Sequence, residues 1–64
     1  MLDDEVGELL TTEQAARLLD VRPGTLEVWR NAKRYGLPYI RVGRNVRYRR
    51  SDLVKFLEQR TVAA

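Results

Sequence analysis

The side chains best suited to chemistry lie at helical spacing near the middle of the chain. If residues 23–34 form a helix with Leu26 toward the core, the opposite face carries a stripe made of Gly24, Glu27, Val28, Asn31 and Tyr35. Glu27 can accept a hydrogen bond from cytosine N4, Asn31 can bond adenine at N6 and N7, and Val28 can contact a thymine methyl group. The stripe therefore predicts contact with nucleic-acid base edges, and ordinary surface residues are the alternative.

Charge is distributed unevenly along the chain. Residues 22–50 carry nine basic side chains and one acidic one, whereas residues 1–20 carry six acidic side chains and one basic one. This excess of positive charge favours a polyanion as partner, and a solvated basic face is the alternative. Thr25 borders the stripe and is added to it as a predicted groove contact. Four basic residues in or next to the same helix suit phosphate contacts: Arg22, Arg30, Lys33 and Arg34.

The residue types that most catalysis needs are missing. The sequence contains no histidine and no cysteine, which removes the commonest general base, the commonest zinc ligand and any disulfide. We therefore expect no enzyme activity, no metal, no cofactor and no small-molecule ligand. No apolar run approaches the roughly 18 residues of a membrane span, and the acidic start does not resemble a signal peptide. We expect a cytoplasmic protein that does not contact a membrane.

Two short helices are predicted to position the stripe. Thr11 and Gln14 have the spacing of a capping box, and the apolar pattern that follows predicts a helix over about 12–19. Asp20 ends that helix, because aspartate tolerates left-handed backbone better than most residues. Pro23 suits the first position of the second helix, which we expect to run to about residue 34. Two helices joined across a three-residue turn predict a helix-turn-helix.

Residues 39–49 alternate apolar and basic side chains around a short polar loop, which predicts a β-hairpin. Pairing Val42 with Val46 places the apolar residues on one face and leaves a three-residue loop, in which Asn45 would take positive φ. In this register Arg41 lies opposite Arg47, with Arg49 beside them, an unfavourable arrangement that favours an anionic partner. The predicted minor-groove contacts are at the tip: Gly43, Arg44 and Asn45. A charged edge that prevents strand association is the alternative.

The remaining segments complete a small fold. Ser51 is a suitable N-cap for a last helix over about 52–60, with Leu53, Phe56 and Leu57 as its apolar stripe. Residues 1–8 read as an acidic arm, residues 9–60 as the domain, and residues 61–64 as a tail. The predicted fold class is mainly α with a small β-hairpin: a winged helix-turn-helix with a two-stranded wing and a C-terminal helix.

At residues 9–58 the sequence resembles the excisionase-type branch of the MerR-like winged helix-turn-helix domains. The motifs that carry the resemblance are LTTEQAA at 10–16, TLEVW at 25–29 and YIRVGRNVRYRRSDL at 39–53. The resemblance implies site-specific binding of double-stranded DNA, with the second helix in the major groove and the wing in a neighbouring minor groove. It further implies a recombination directionality factor that binds cooperatively with copies of itself, bends DNA and acts beside an integrase.

Three other functions remain open. A small transcriptional regulator of the same fold would use the same contact residues, so the sequence does not separate it from an excisionase. An adaptor that docks on an acidic protein would also explain the basic segment. A single-stranded RNA binder would need exposed aromatic side chains for stacking, and only Tyr35 and Tyr39 are expected to be exposed.

Overall fold

Residues 8–63 are described in the computed structural model, and they form three α-helices and a three-stranded antiparallel sheet. The elements in chain order are β1 (Leu9–Leu10), α1 (Thr12–Leu19), α2 (Pro23–Asn31), β2 (Ile40–Val42), β3 (Asn45–Arg49) and α3 (Arg50–Gln59). The strand order is β1-β3-β2. The predicted fold class, mainly α with a β wing, is confirmed. None of the described helices is long and apolar enough to cross a membrane.

Helix α1 begins and ends where local chemistry predicts. The Thr11 hydroxyl accepts a hydrogen bond from the Gln14 amide at 3.1 Å, and the Gln14 side chain accepts one from the Thr11 amide at 2.9 Å, which completes the capping box. Asp20 takes left-handed backbone with φ of 58°, and the Val21 amide donates to the Ala16 carbonyl at 2.9 Å. These bonds satisfy carbonyls that the last turn would otherwise leave free. The predicted bounds of α1 are confirmed.

Helix α2 ends earlier than predicted. It stops at Asn31 instead of continuing to about residue 34. Lys33 takes positive φ of 54°, and the Arg34 amide donates to the Trp29 carbonyl at 2.8 Å, a closing bond of the same kind as at the end of α1. A lysine at this left-handed position gives no sequence signal, because glycine and asparagine are the residues that normally mark it.

The wing, residues 40–49, has a different register from the predicted one. Its strand pairs are Ile40 with Arg47, Arg41 with Val46, and Val42 with Asn45, around the two-residue turn Gly43-Arg44. Gly43 has φ of 60° and Asn45 belongs to β3, so the predicted three-residue loop is wrong. A two-residue hairpin turn favours glycine at its first central position. In this register Val42 lies on the face of the sheet opposite Val46, and it is 55% exposed.

The third strand was not predicted, and the predicted start of α3 at about residue 52 is wrong. Leu9 pairs with Arg49 and Leu10 with Tyr48, which makes β3 the central strand. Helix α3 follows β3 directly and begins at Arg50, so Ser51 is not its N-cap. The Arg50 amide instead donates to the Glu8 carbonyl at 2.8 Å. Residues 1–7 of the predicted acidic arm, and Ala64 of the predicted tail, lie outside the described residues.

The core lies where α1, α2 and α3 meet the inner face of β3. Ala15 and Ala16 are almost fully buried, and these small side chains allow α1 to pack closely against its neighbours. The other members of the buried cluster are Leu10, Leu26, Tyr48 and Leu53. Phe56 is also buried, whereas Leu57 is exposed, so the predicted place of Leu57 in the apolar stripe of α3 is wrong. The core therefore holds α2 by one face and leaves its other face to solvent.

Candidate nucleic-acid interface

The outer face of α2 is open to solvent. Gly24, Glu27, Val28 and Asn31 are all exposed, and Thr25 beside them is half-buried. Leu26, on the opposite side of the same helix, is 1% exposed. Because the two faces are so clearly separated, four of the five predicted major-groove residues form a continuous accessible stripe on a helix fixed from behind.

Tyr35 does not belong to this stripe. Since α2 ends at Asn31, the chain turns away, and the Tyr35 ring packs edge-on against Trp29 with ring centroids 4.9 Å apart. The centroid of the Tyr35 ring lies 6.5 Å from that of the Phe56 ring and 5.0 Å from the Arg60 guanidinium carbon. Tyr35 is still 54% exposed, but its contacts attach the segment after α2 to α3.

The predicted phosphate contacts of α2 divide into two groups. Arg22 directly precedes the helix, Lys33 and Arg34 follow it, and all three side chains are exposed. Arg30 is half-buried instead and turns inward, where its Nη1 donates to the Tyr48 hydroxyl at 3.1 Å. Its guanidinium carbon also lies 5.8 Å from the centroid of the Tyr39 ring. The structure thus keeps Arg30 away from the outer face of α2.

The tip of the wing projects into solvent. Gly43, Arg44 and Asn45 are all exposed, and the turn presents Arg44 at its second central position. The positive φ of Gly43 lets the two strands join through so short a turn. The three predicted minor-groove residues are therefore together and accessible, although the turn differs from the predicted one.

The wing arginines occupy different faces of the sheet. Arg41 shares a face with its partner Val46, whereas Arg47 shares the opposite face with Ile40, so the predicted Arg41–Arg47 pair does not exist. Arg47 Nη1 donates to the Val46 carbonyl at 2.8 Å. Arg49 Nη1 lies 3.7 Å from an Asp52 carboxylate oxygen, which partly neutralises its charge. Arg41 and Arg47 therefore do not face each other, and the predicted repulsion between them is wrong.

One further exposed basic residue was not among the predicted contacts. Arg50 is exposed on the first turn of α3, directly after the wing, and its Nε lies 3.7 Å from Glu8. The basic run at 47–50 could have identified Arg50 as a contact, but the predicted start of α3 at about residue 52 left Arg50 outside that helix. Within residues 8–63 no group of three or more acidic residues is placed to hold a metal ion.

Comparison with known proteins agrees with this geometry. A family model described as a helix-turn-helix domain matches residues 9–61, which is most of the chain. The match runs from β1 through the residue pair after α3, so it includes both helices of the motif and the wing. No curated protein and no solved structure gives a significant match. In this fold the second helix of the motif contacts DNA, and the chain therefore belongs to the helix-turn-helix domain family of DNA-binding proteins.

Proposed function

We propose that the protein recognises specific sequences in double-stranded DNA by placing α2 in the major groove. The observation that carries this proposal is the division of α2 into a buried face, with Leu26 at its centre, and an exposed polar face. Glu27 and Asn31 on the exposed face have the hydrogen-bonding groups that distinguish cytosine and adenine. Because only the buried face of α2 packs against the core, the helix can enter a groove without losing those contacts.

In this proposal the basic side chains fix the protein on the phosphate backbone. Arg22, Lys33 and Arg34 flank the exposed stripe, and Arg41, Arg47 and Arg49 extend the positive charge along the wing. Contacts of this kind set orientation and affinity but read no sequence. Because Arg30 turns inward and Arg49 is paired with Asp52, we assign them smaller roles than the three exposed cations around α2.

The wing tip is proposed to enter the adjacent minor groove. Arg44 is the exposed cation at the turn, and a narrow A·T-rich groove concentrates negative potential at such a side chain. Arg44→Ala should therefore weaken binding mainly at sites with A·T-rich flanks. Arg22→Ala serves as the control, since the loss of a phosphate contact weakens binding regardless of the flank.

The test of base reading compares a specific DNA site with random DNA. A site is first selected from a random library, and fluorescence anisotropy then gives both affinities for each variant. Asn31→Ala and Glu27→Ala should each weaken specific binding by roughly 1–3 kcal/mol and leave random binding almost unchanged. Gln59→Ala and Glu58→Ala on α3 are matched controls with the same exposed chemistry. Equal losses on specific and random DNA would remove the base-reading role of α2.

We further propose that this DNA binding serves excision, as a recombination directionality factor that bends DNA and acts with an integrase. The support is the resemblance of residues 9–58 to excisionase-type domains. Gel-shift and bending assays on DNA with one, two and three sites test it, and we expect cooperative binding and increasing curvature. Independent binding to straight DNA would instead favour a small transcriptional regulator of the same fold.

A further inference from the structure

A cleft lies beside α2, on the side away from the proposed groove-reading stripe. Its volume is about 360 Å³, and it separates α2 from the connection that leads into the wing. Trp29, Tyr39 and Tyr48 supply aromatic walls, and Leu26 and Leu37 supply aliphatic ones. Apolar clefts of about 300–1,000 Å³ with a few polar groups are typical small-molecule sites.

Among the residues that the structure describes, the polar groups around this cleft are all cationic or neutral. Arg30, Lys33 and Arg34 line it, and none of these lining residues is acidic. Arg30 is half-buried, and its position is fixed by the 3.1 Å bond to the Tyr48 hydroxyl and by the Tyr39 ring. No carboxylate within residues 8–63 forms an ion pair with it. A guanidinium has five N–H donors, so the bond to Tyr48 leaves others for an anion in the cleft.

We infer that this cleft binds a small planar aromatic anion, such as an aromatic carboxylate. The aromatic walls suit a planar ring, and the fixed guanidinium suits a carboxylate. A cavity of about 150 Å³ accommodates benzene, so the larger cleft has room for two fused rings. This site goes beyond the proposed DNA binding and does not depend on it. A phosphodiester of DNA is the competing occupant, and the mainly apolar walls argue against it.

The single tryptophan of the chain provides the readout, because Trp29 lines the cleft and gives one indole N–H resonance. The full chain, without DNA, is titrated with 2-naphthoate, with the uncharged analogue 2-naphthamide, and with dimethyl phosphate. We expect 2-naphthoate to shift the indole resonance saturably and the other two probes to bind at least tenfold more weakly. Equal binding of the amide would remove the anion site, and equal binding of dimethyl phosphate would assign the cleft to the DNA backbone.

Variants identify the group that binds the anion. Arg30→Met keeps an apolar side chain in the wall and should weaken 2-naphthoate binding about ten- to 100-fold, the range for lost hydrogen bonds to a charged group. Binding of 2-naphthamide should not change. Arg17→Met, on the exposed face of α1, is the matched control. If Arg30→Met does not fold, Lys33→Gln at the exposed rim should still weaken 2-naphthoate selectively. Unchanged 2-naphthoate binding in a folded Arg30→Met protein would overturn the inference.

Discussion

The helix-turn-helix, residues 11–31, and the wing, residues 40–49, acquire their conformations in different ways. In the helix-turn-helix, the ends of α1 are fixed by hydrogen bonds between groups that are at most five residues apart in the chain. In the wing, the pairing of the strands follows from the turn, where Gly43 takes positive φ and Arg44 completes a two-residue loop. Local backbone chemistry therefore decides both regions, through the capping residues of α1 in the first and through the glycine of the turn in the second.

The wing also shows when apolar matching fails as a guide to strand register. Register is strongly specified where one face of a strand is buried. In the observed register Val42 is 55% exposed and Ile40 is half-buried, so β2 has no fully buried face that would fix its register. The preference of the turn for glycine at its first central position is then the remaining determinant. For an exposed hairpin, the residues of the turn are a better guide to strand register than the apolar pattern of the two faces.

The largest expected difference between the two regions is in packing energy. Trp29→Ala removes ring contacts with Tyr35 at 4.9 Å and Phe56 at 6.1 Å, and should lower the free energy of unfolding by about 3 kcal/mol. Val46→Ala, the half-buried counterpart in the wing, should cost about 1 kcal/mol. Urea denaturation followed by circular dichroism measures both, with exposed Val28→Ala as the control. A larger loss for Val46→Ala would make the wing the more important region for stability.

Two glycines test the roles of backbone conformation in the two regions. Gly43 has positive φ, so Gly43→Ala should destabilise the protein by roughly 1–2 kcal/mol. Gly24 is helical, and a β-carbon there would meet no atom within 4 Å, so Gly24→Ala should raise stability by about 0.5 kcal/mol. Thermal unfolding distinguishes these opposite signs. A harmless Gly43→Ala together with a stabilising Asn45→Gly would favour the three-residue loop instead.

The smallest effects concern the helix caps. Thr11→Ala removes the hydroxyl that accepts the Gln14 amide and should cost about 1 kcal/mol of unfolding free energy. Ser51 lies inside α3 and caps nothing, so Ser51→Ala should change stability by less than about 0.5 kcal/mol. Chemical denaturation of the two variants side by side is sufficient. Equal losses would restore Ser51 as the N-cap and place the start of α3 two residues later.

Much of the fold was predictable because its signals are local. The capping box and the left-handed Asp20 gave α1 its bounds, and the helical spacing around Leu26 identified the buried and exposed faces of α2. The end of α2 was not predictable, since Lys33 is an unusual residue for left-handed backbone. Strand β1 has only two residues, too few to show a pattern.

The position of individual arginines was harder to predict than the fold. Arg30 turns inward because of a hydroxyl 18 residues later in the chain, a contact that exists only after the wing packs against α2. The separation of Arg41 and Arg47 onto opposite faces followed from a register shift of one residue. A basic segment in sequence therefore indicates an anionic partner, but packing decides which of its charges can reach that partner.

The left-handed residues described above have a consequence for the lifetime of the protein. Lys33 and Tyr35 each hold left-handed backbone that costs a residue of their kind roughly 1 kcal/mol, a large sum for so small a domain. The strain raises the unfolded population, which is the form that proteases degrade. DNA at about 100 times its dissociation constant would add about 2.7 kcal/mol to the folded state. Bound DNA should thus slow the proteolysis of the protein by lowering its unfolded population.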